Sequence, residues 1–263
     1  MVISILGCGW YGKALAVSLL QNGIAVKGSA TSVEKLASLA AEGISPYLVQ
    51  FDADIDNFDP AFFEGDILVI AIPPKLRKGE TAAFLPKIRQ IIRAILQHQV
   101  KKVIYISSTG VYGDQNAEVD ELSDPQPDTE SGMKLLEADQ LFQNETAFKT
   151  TIIRFGGLIG PGRHPGRFFA GKKDVPNGLA PVNLIHLEDC VGITTAVIKK
   201  DAFGYLFNAC SPDHPQKALF YYEAARKGGF AVPEFISELG SWKVVNSINL
   251  KAVLDYEFKV KLW

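Results

Sequence analysis

The feature that most constrains the fold is an alternation between short apolar runs and longer amphipathic segments. The runs "VISILG", "GIAVKG", "SPYLVQF", "DILVIAI", "KKVIYIS" and "TTIIRF" are nearly continuous in apolar residues, which is typical of strands covered on both faces of a sheet. The segments between them repeat apolar residues at helical spacing, as at Ile88, Ile92 and Ile95. This alternation predicts an α/β fold, a doubly wound parallel sheet of the Rossmann type with helices on both faces.

The alternation loosens after Phe155 into the Gly/Pro-rich stretch "GGLIGPGRHPGRFFAGKKDVPNG". A loop of this length inside a compact domain is usually functional. Regular elements resume with "HLEDCVGITTAVIKK" and "YLFNAC". We therefore expect a dinucleotide-binding core over residues 1–155. Residues 156–263 are expected to add a substrate-side loop, the remaining sheet elements and a small C-terminal lobe, all within one compact unit.

Composition excludes several classes of function. The 263 residues carry a formal net charge of -2 without a basic block, which argues against a nucleic-acid partner because such binding needs clustered Lys and Arg. No apolar run is long enough for a membrane span, and the N-terminus lacks signal-peptide features, so we expect a cytoplasmic protein. Cys8, Cys190 and Cys210 lie far apart and predict reduced thiols. Neither they nor the histidines have metal-ligand spacing, so no metal site is expected.

A glycine-rich turn stands at the first strand–helix junction. Gly7, Gly9 and Gly12 in "GCGWYG" form a G-x-G-x-x-G pattern that also contains Trp10 and Tyr11. Glycine permits the tight turn and lets backbone N–H groups approach a pyrophosphate at the helix N-terminus. This position favours a dinucleotide site, and the alternative interpretation is a packing turn without a ligand.

The end of the second strand bears on the choice between NAD and NADP. An acidic residue there would bind the adenosine ribose of NAD, but "AVKGSATS" has none. Hydroxyls and cations that could bind a 2′-phosphate lie in or after this strand: Ser29, Thr31, Ser32, Lys27 and Lys35. The sequence thus favours NADP slightly over NAD. Asp52, after the third strand, could contact the adenine or act as a turn or cap residue.

Four motifs together resemble the extended short-chain dehydrogenase/reductase superfamily, which includes nucleotide-sugar epimerases and dehydratases. They are "GCGWYG", "YISSTGVYG", "GGLIGPG" and "VNLIHLEDC", in the family's order and over most of the chain, and "GPGRHPGRFFAGK" is similar to atypical members. The resemblance implies an NAD(P) cofactor, a small polar substrate with nucleotide sugars among the candidates, and a homodimer formed through helices that flank the sheet. It also implies a catalytic Ser, Tyr and Lys.

Position by position, the resemblance assigns Ser108 as the serine that orients the substrate oxygen and Lys134 as the lysine that holds the nicotinamide ribose. Glu130 occupies the position of the tyrosine, four residues before Lys134. Tyr112 in "SSTGVYG" is a candidate substitute donor, although the corresponding family residue mainly shapes the site. The chain therefore resembles a superfamily member that lacks the usual proton donor.

Two interpretations of Glu130 remain open. A glutamate is ordinarily ionised at neutral pH and can accept a proton, but it donates one only where desolvation raises its pKa. In a structural role, Glu130 would complement the dipole at a helix N-terminus and pair with Lys134 four residues on.

The long loop carries Arg163, His164 and Arg167 within "GPGRHPGRFF". Two guanidinium groups and an imidazole could bind a phosphate or carboxylate of the substrate. The alternative is a solvated loop whose arginines pair with surface acids. His186, in "LIHLED", is expected to position the loop or a backbone turn.

These observations favour an NAD(P)-dependent oxidoreductase or epimerase-like enzyme that acts on a small polar, anionic substrate. A catalytically silent dinucleotide-binding sensor or scaffold is the alternative from another class. A third hypothesis is an isomerase or lyase that uses Glu130 as its base and the cofactor structurally.

Overall fold

A large, mostly parallel sheet organises the protein. The computed structural model describes residues 1–51, 56–72 and 81–263. Within these residues the strands are β1 (Val2–Leu6), β2 (Ala25–Ala30), β3 (Ser45–Phe51), β4 (Asp56–Phe58), β5 (Ile67–Ile70), β6 (Lys102–Ser108), β7 (Ala117–Val119), β8 (Lys149–Phe155), β9 (Gly157–Ile159), β10 (Leu184–His186), β11 (Leu206–Ala209) and β12 (Lys243–Val245). Eight of them form one sheet in the order β11-β8-β6-β5-β1-β2-β3-β4, and only β4 pairs antiparallel to its neighbour.

Helices cover both faces of this sheet. The described residues form α1 (Trp10–Gln21), α2 (Val33–Ala40), α3 (Thr81–Gln97), α4 (Glu130–Gln143), α5 (Leu187–Lys199), α6 (Lys217–Lys227) and α7 (Asn249–Ala252). Leu15 of α1 and Ile193 of α5 share one apolar core with Ile5, whereas Ile88 of α3 and Leu135 of α4 share the other. The Rossmann-type α/β prediction is confirmed. None of the helices in the described ranges is long and apolar enough to cross a membrane.

The strand order reverses at β1. From β1 the sheet continues through β2 and β3 on one side and through β5, β6 and β8 on the other. Crossovers in opposite directions leave a crevice at the carboxyl ends of β1 and β5, where ligands bind in sheets of this kind. Gly7 follows β1 directly and lies at this crevice.

The C-terminal part of the chain is tied to the sheet by several contacts. β11 joins the main sheet beside β8, and β12 pairs in parallel with β7. The buried carboxylate of Asp189 accepts hydrogen bonds from the Tyr256 hydroxyl at 2.9 Å and from the backbone N–H groups of Lys259 and Val260 at 2.8 and 3.2 Å. The last residues are thereby fastened to α5. The division at residues 155 and 156 stays a prediction.

A buried ion pair links α4, β8 and the loop after β6. Arg154 Nε donates to Asp139 Oδ2 at 2.9 Å, and the two residues are 2% and 0% exposed. A second guanidinium nitrogen donates to the Tyr112 hydroxyl at 2.8 Å. Burial raises the pKa of the Asp139 carboxyl, and the Arg154 guanidinium opposes that shift. The guanidinium therefore compensates a charge that the surrounding core disfavours.

We expect Arg154→Met to lower the free energy of unfolding by about 3–5 kcal/mol, because it leaves a buried carboxylate without its partner. Urea unfolding measures the change. Lys173→Met is the matched control, since it removes an exposed cation 3.2 Å from Glu234 and should cost less than about 1 kcal/mol. Equal, small losses in both variants would contradict a stabilising role for the buried pair.

Candidate functional site

The glycine turn is shaped by two close backbone approaches. Gly7 has a φ of +102°, and a Cβ there would lie 2.8 Å from the carbonyl oxygen of Ala71, which follows β5. A Cβ on Gly12 would lie 2.2 Å from the carbonyl oxygen of Gly7. A Cβ on Gly9 would meet nothing within 4 Å. Gly7 and Gly12 are thus required for packing, whereas Gly9 borders open space.

The first turn of α1 begins at this open space. Gly9 is the N-cap residue, offers no side-chain cap, and is followed by no acidic residue in the first turn. From the β2 side, the buried Ser29 hydroxyl accepts from Gly7 N at 2.8 Å, and its carbonyl accepts from Cys8 N at 3.1 Å. An uncapped helix start beside a glycine turn is suited to binding an anion.

Tyr11 lies inside the core. Its hydroxyl is 2.7 Å from Thr194 Oγ1 of α5, and its ring meets the edge of Phe155 at a centroid distance of 5.1 Å. Burial raises the pKa of this phenol. The side chain therefore packs α1 against α5, and only its backbone is available to the turn.

Trp10 connects the glycine turn to the long loop. Its indole Nε1 donates to the carbonyl of Pro161 at 2.7 Å, and the Arg163 guanidinium lies 4.5 Å from the ring centroid. Gly160 and Arg163 exchange two backbone hydrogen bonds, of 3.2 and 2.9 Å, so the segment forms a closed turn. The structure thus brings Arg163 to the glycine turn.

His164 and Arg167 lie elsewhere, against Phe230. The His164 ring is 5.2 Å from the Phe230 ring, and its Nδ1 accepts from Gly166 N at 3.1 Å. The Arg167 guanidinium is 5.2 Å from the same ring. Arg163, His164 and Arg167 therefore contact two different aromatic side chains and do not converge on one point.

The residues expected at a 2′-phosphate are dispersed. Thr31 and Lys35 are exposed beyond β2. The Lys27 ammonium instead donates to the carbonyl oxygens of Ala61 and Glu64 at 2.5 and 2.7 Å. These two residues precede β5, so the ammonium lies at the amino ends of the strands. Asp52 lies outside the described residues.

Ser108 and Tyr112 occupy different environments after β6. The Ser108 hydroxyl accepts from Gly110 N at 3.1 Å and caps the 3₁₀ turn Thr109–Val111. Tyr112 is only 1% exposed; its hydroxyl accepts from Arg154 and donates toward the carbonyl of Asp120 at 2.9 Å and Asn208 Oδ1 at 3.1 Å. Burial raises the pKa of this phenol. Tyr112 is thus enclosed by protein partners.

The start of α4 packs against this loop. A Cβ on Gly132 would lie 2.4 Å from the carbonyl oxygen of Gly110, so α4 approaches the loop backbone as closely as glycine allows. Glu130 is the first residue of the helix and is exposed. Among the described ion pairs, Lys134 is joined to Glu137 at 3.7 Å and not to Glu130. The expected pair between positions 130 and 134 is therefore replaced by one within the following turn.

A cavity of about 310 Å³ adjoins the loop after β6. Thr109 and Gly110 form one wall, and the C-terminal lobe contributes Lys217, Tyr221 and Lys243. Sequence reasoning missed these lobe residues because they belong to no motif and lie more than 100 positions from the loop.

The remaining histidines and cysteines have local roles. His186 caps α5, its Nδ1 accepting from Glu188 N at 3.2 Å. All three cysteines are unpaired thiols, and burial raises the pKa of Cys8 and of Cys210 to about 12. Within the described ranges, no group of three or more His, Cys, Asp and Glu side chains could hold a metal ion.

Two alanine substitutions in the glycine turn should have different effects. Gly12→Ala forces a methyl group against the Gly7 carbonyl, and we expect a loss of roughly 1–3 kcal/mol or more in the free energy of unfolding. Gly9→Ala should leave stability within about 1 kcal/mol but weaken dinucleotide binding, because its methyl group enters the open space. Thermal unfolding and calorimetric titration measure the two properties. Unchanged binding in a folded Gly9→Ala variant would contradict a ligand at this position.

Comparisons with known proteins agree with this geometry. A family model described as NAD(P)H-binding matches residues 7–181, a range that holds the glycine turn, Ser108 and Lys134. Protein YeeZ of Escherichia coli (strain K12) is 35% identical over 263 residues, covering 98% of this chain and 95% of YeeZ.

Solved structures share the fold. UDP-glucuronic acid 4-epimerase from Bacillus cereus, in complex with UDP-glucuronic acid and NAD, superposes with a TM-score of 0.80 at 19% identity, over 100% of this chain and 95% of the epimerase. A short-chain dehydrogenase/reductase superfamily protein from Agrobacterium tumefaciens with bound NAD gives a TM-score of 0.76 at 16% identity, over 100% and 94% of the two chains. The chain therefore belongs to the NAD(P)H-binding family and has the fold of the epimerases and short-chain dehydrogenases/reductases.

Proposed function

We propose that the protein binds NAD(P)(H) at the glycine turn and acts as an oxidoreductase or epimerase-like enzyme on a small polar substrate. The observation that carries the proposal is the uncapped first turn of α1 beside Gly9, where an added Cβ would meet nothing within 4 Å. Backbone N–H groups there suit a pyrophosphate, because a helix N-terminus favours negative charge.

The remaining roles follow from position. The bound dinucleotide would supply the hydride acceptor or donor. Ser108, at the carboxyl end of β6, has a hydroxyl that can orient a substrate oxygen, and the cavity begins at the next residue, Thr109. Lys134, in the second turn of α4, is 34% exposed and can reach a ribose, since its pair with Glu137 is long at 3.7 Å. The Arg163 guanidinium lies over Trp10 beside the glycine turn, which supports a role for Arg163 toward a cofactor bound there.

Proton transfer requires a titratable group that a bound substrate can reach. Tyr112 is enclosed by Arg154, Asp120 and Asn208, so its hydroxyl has no open path to a substrate. Glu130 is exposed, and a role as base requires a substrate that covers it. We propose Glu130 as the proton acceptor of an active enzyme. An isomerase or lyase in which the bound cofactor has only a structural role would use the Glu130 carboxylate as its base.

A second candidate function is a catalytically silent dinucleotide sensor or scaffold. It is favoured by the glutamate at the position where the superfamily has its tyrosine, together with the enclosed Tyr112. In this role the glycine turn and Lys134 still bind the cofactor, but no group transfers the substrate proton.

We propose NADP in slight preference to NAD. The sequence has no Asp or Glu between the end of β2 and Glu34, and Thr31 and Lys35 are exposed at this end of the strand. Lys27 is excluded from this role because its ammonium is bound at the opposite end of the sheet.

We also propose a cytoplasmic homodimer. Its free cysteines are typical of a reducing compartment. The helices α3 and α4 pack together and expose Leu96 and Met133, which could contribute to a surface between two copies. Sedimentation equilibrium of the purified chain tests the dimer.

Calorimetric titration with NAD, NADH, NADP and NADPH tests cofactor binding, and we expect one site per chain. Lys134→Met should weaken all four by about tenfold, whereas Lys35→Met should weaken only NADP and NADPH, which carry the 2′-phosphate. Lys149→Met is the matched control, an exposed lysine at the start of β8 where the amino ends of the strands lie. Absence of binding by all four cofactors would overturn the proposed function.

Substitutions at Glu130 separate the enzyme from the sensor. Glu130→Gln should keep cofactor binding and lower NAD(P)H-linked turnover of carbonyl compounds and nucleotide sugars at least about tenfold, since the amide cannot accept a proton. Glu130→Tyr should raise reductase turnover where the rest of the site is intact. Turnover absent from wild type and from Glu130→Tyr, with tight cofactor binding in both, would favour the sensor.

A further inference from the structure

We propose that the cavity beside Ser108 binds a compact substrate bearing a carboxylate or phosphate, and that Lys217 is the residue that selects this anionic group. The inference rests on the proposed function, since it names the substrate class of the same site. It assigns the anionic group to the C-terminal lobe. The sequence pattern had instead indicated the loop residues Arg163, His164 and Arg167.

The amide side chains that line the cavity are already hydrogen-bonded to backbone groups of the protein. Asn177 Nδ2 donates to the Ser241 carbonyl at 2.6 Å, and its Oδ1 accepts from Gly240 N at 2.8 Å. Asn183 Nδ2 donates to the Lys243 carbonyl at 2.9 Å, and its Oδ1 accepts from Val245 N at 2.8 Å. These residues build the walls and hold the 240–245 segment against them.

The second lysine of the cavity is already neutralised. Lys243 Nζ donates to Asp114 Oδ1 and to the carbonyl of Tyr112, each at 2.7 Å. Its side chain is only 16% exposed. This ion pair joins the lobe to the loop after β6 and brings no net charge to the cavity.

Lys217 differs from Lys243 in its partners. Its ammonium donates to the carbonyl of Pro176 at 3.1 Å and lies over the rings of Phe169 and Phe235, at 5.2 and 5.9 Å. Among the ion pairs of the described residues, none includes Lys217. Burial lowers the pKa of this amine, and the charge of Asp114 opposes that shift from a distance.

A partly desolvated ammonium without a counter-ion is unfavourable, and a bound anion removes that cost. An ammonium has three N–H donors, so those not directed at Pro176 can bind carboxylate or phosphate oxygens. The aromatic rings of Phe169 and Phe235 beneath the ammonium fix its position. Lys217 is therefore the group in this cavity that has both a positive charge and N–H donors available to a ligand.

The size of the cavity favours a compact ligand. Its volume of about 310 Å³ is at the lower end of the roughly 300–1,000 Å³ typical of small-molecule sites. Thr109 and Gly110 in the wall place the bound molecule next to Ser108. A single charged ring or short chain fits this space better than a nucleotide sugar does.

Four probes test the proposal by calorimetric titration in the presence of saturating NADP or NAD: glucose, glucuronate, glucose 6-phosphate and UDP-glucose. We expect glucuronate or glucose 6-phosphate to bind at least about tenfold more tightly than glucose, and UDP-glucose to bind no better than glucose 6-phosphate. Lys217→Met keeps the apolar stem over the rings and should abolish the preference for charge. Lys217→Arg should retain part of it.

Lys227→Met, at the exposed far end of α6, is the matched control and should change nothing. Thermal unfolding of each variant shows that it is folded, and Lys217→Gln replaces any Lys217→Met protein that is not. The proposal is overturned by equal binding of charged and neutral probes, by a charge preference that survives Lys217→Met, by UDP-glucose binding best, or by no probe binding while the cofactor binds. Loss of cofactor binding itself would instead overturn the proposed function.

Discussion

The contact between Gly12 and the carbonyl oxygen of Gly7 determines how α1 leaves β1. Because a Cβ at Gly12 would lie 2.2 Å from that oxygen, the helix backbone can approach the turn only where no side chain intervenes. This approach sets the first helical turn at the crevice between β1 and β5. Trp10 then extends from that turn to Pro161, so the long loop takes its position from the same contact.

The loop after β6 is the second fixed part of the site. Arg154 holds the Tyr112 hydroxyl from within the core, and Lys243 holds the Tyr112 carbonyl from the C-terminal lobe. Gly132 brings the first turn of α4 against Gly110 on a third side. Three separate elements therefore restrain a loop of a few residues. Such restraint keeps Ser108 and the adjoining cavity wall in one geometry, which a binding site requires.

Local pattern predicted the fold well. The runs that became β1, β2, β3, β5, β6, β8 and β11 carry their apolar pattern within a few consecutive residues, and the helices between them do so over longer spans. The three-residue strands β4, β7, β9, β10 and β12 were not predicted. Four of them, β7, β9, β10 and β12, depend on partners distant in sequence, as in the pairing of Lys243 with Ala117, whereas β4 pairs with the preceding strand β3.

The site was less predictable for the same reason. The G-x-G-x-x-G spacing identified the turn, since backbone geometry there follows from glycine itself. Spacing also placed Glu130 and Lys134 on one helix, but Lys134 pairs with Glu137, three residues further along α4. Glu137 is also 3.6 Å from Arg89 of α3, a contact that spacing does not predict. Lys217 carries no local signal, because its role depends on Phe169, Pro176 and Phe235 folding around it.

The two halves of the site also differ in how much they depend on single side chains. The cofactor half is built from the backbone of the glycine turn and an uncapped helix start, which many substitutions elsewhere leave unchanged. The proposed proton transfer depends instead on one side chain, that of Glu130. A substitution there should leave the glycine turn undisturbed, since Glu130 is exposed and is the first residue of its helix. Under the proposed function, this architecture therefore allows the reaction to change while the dinucleotide fold is retained.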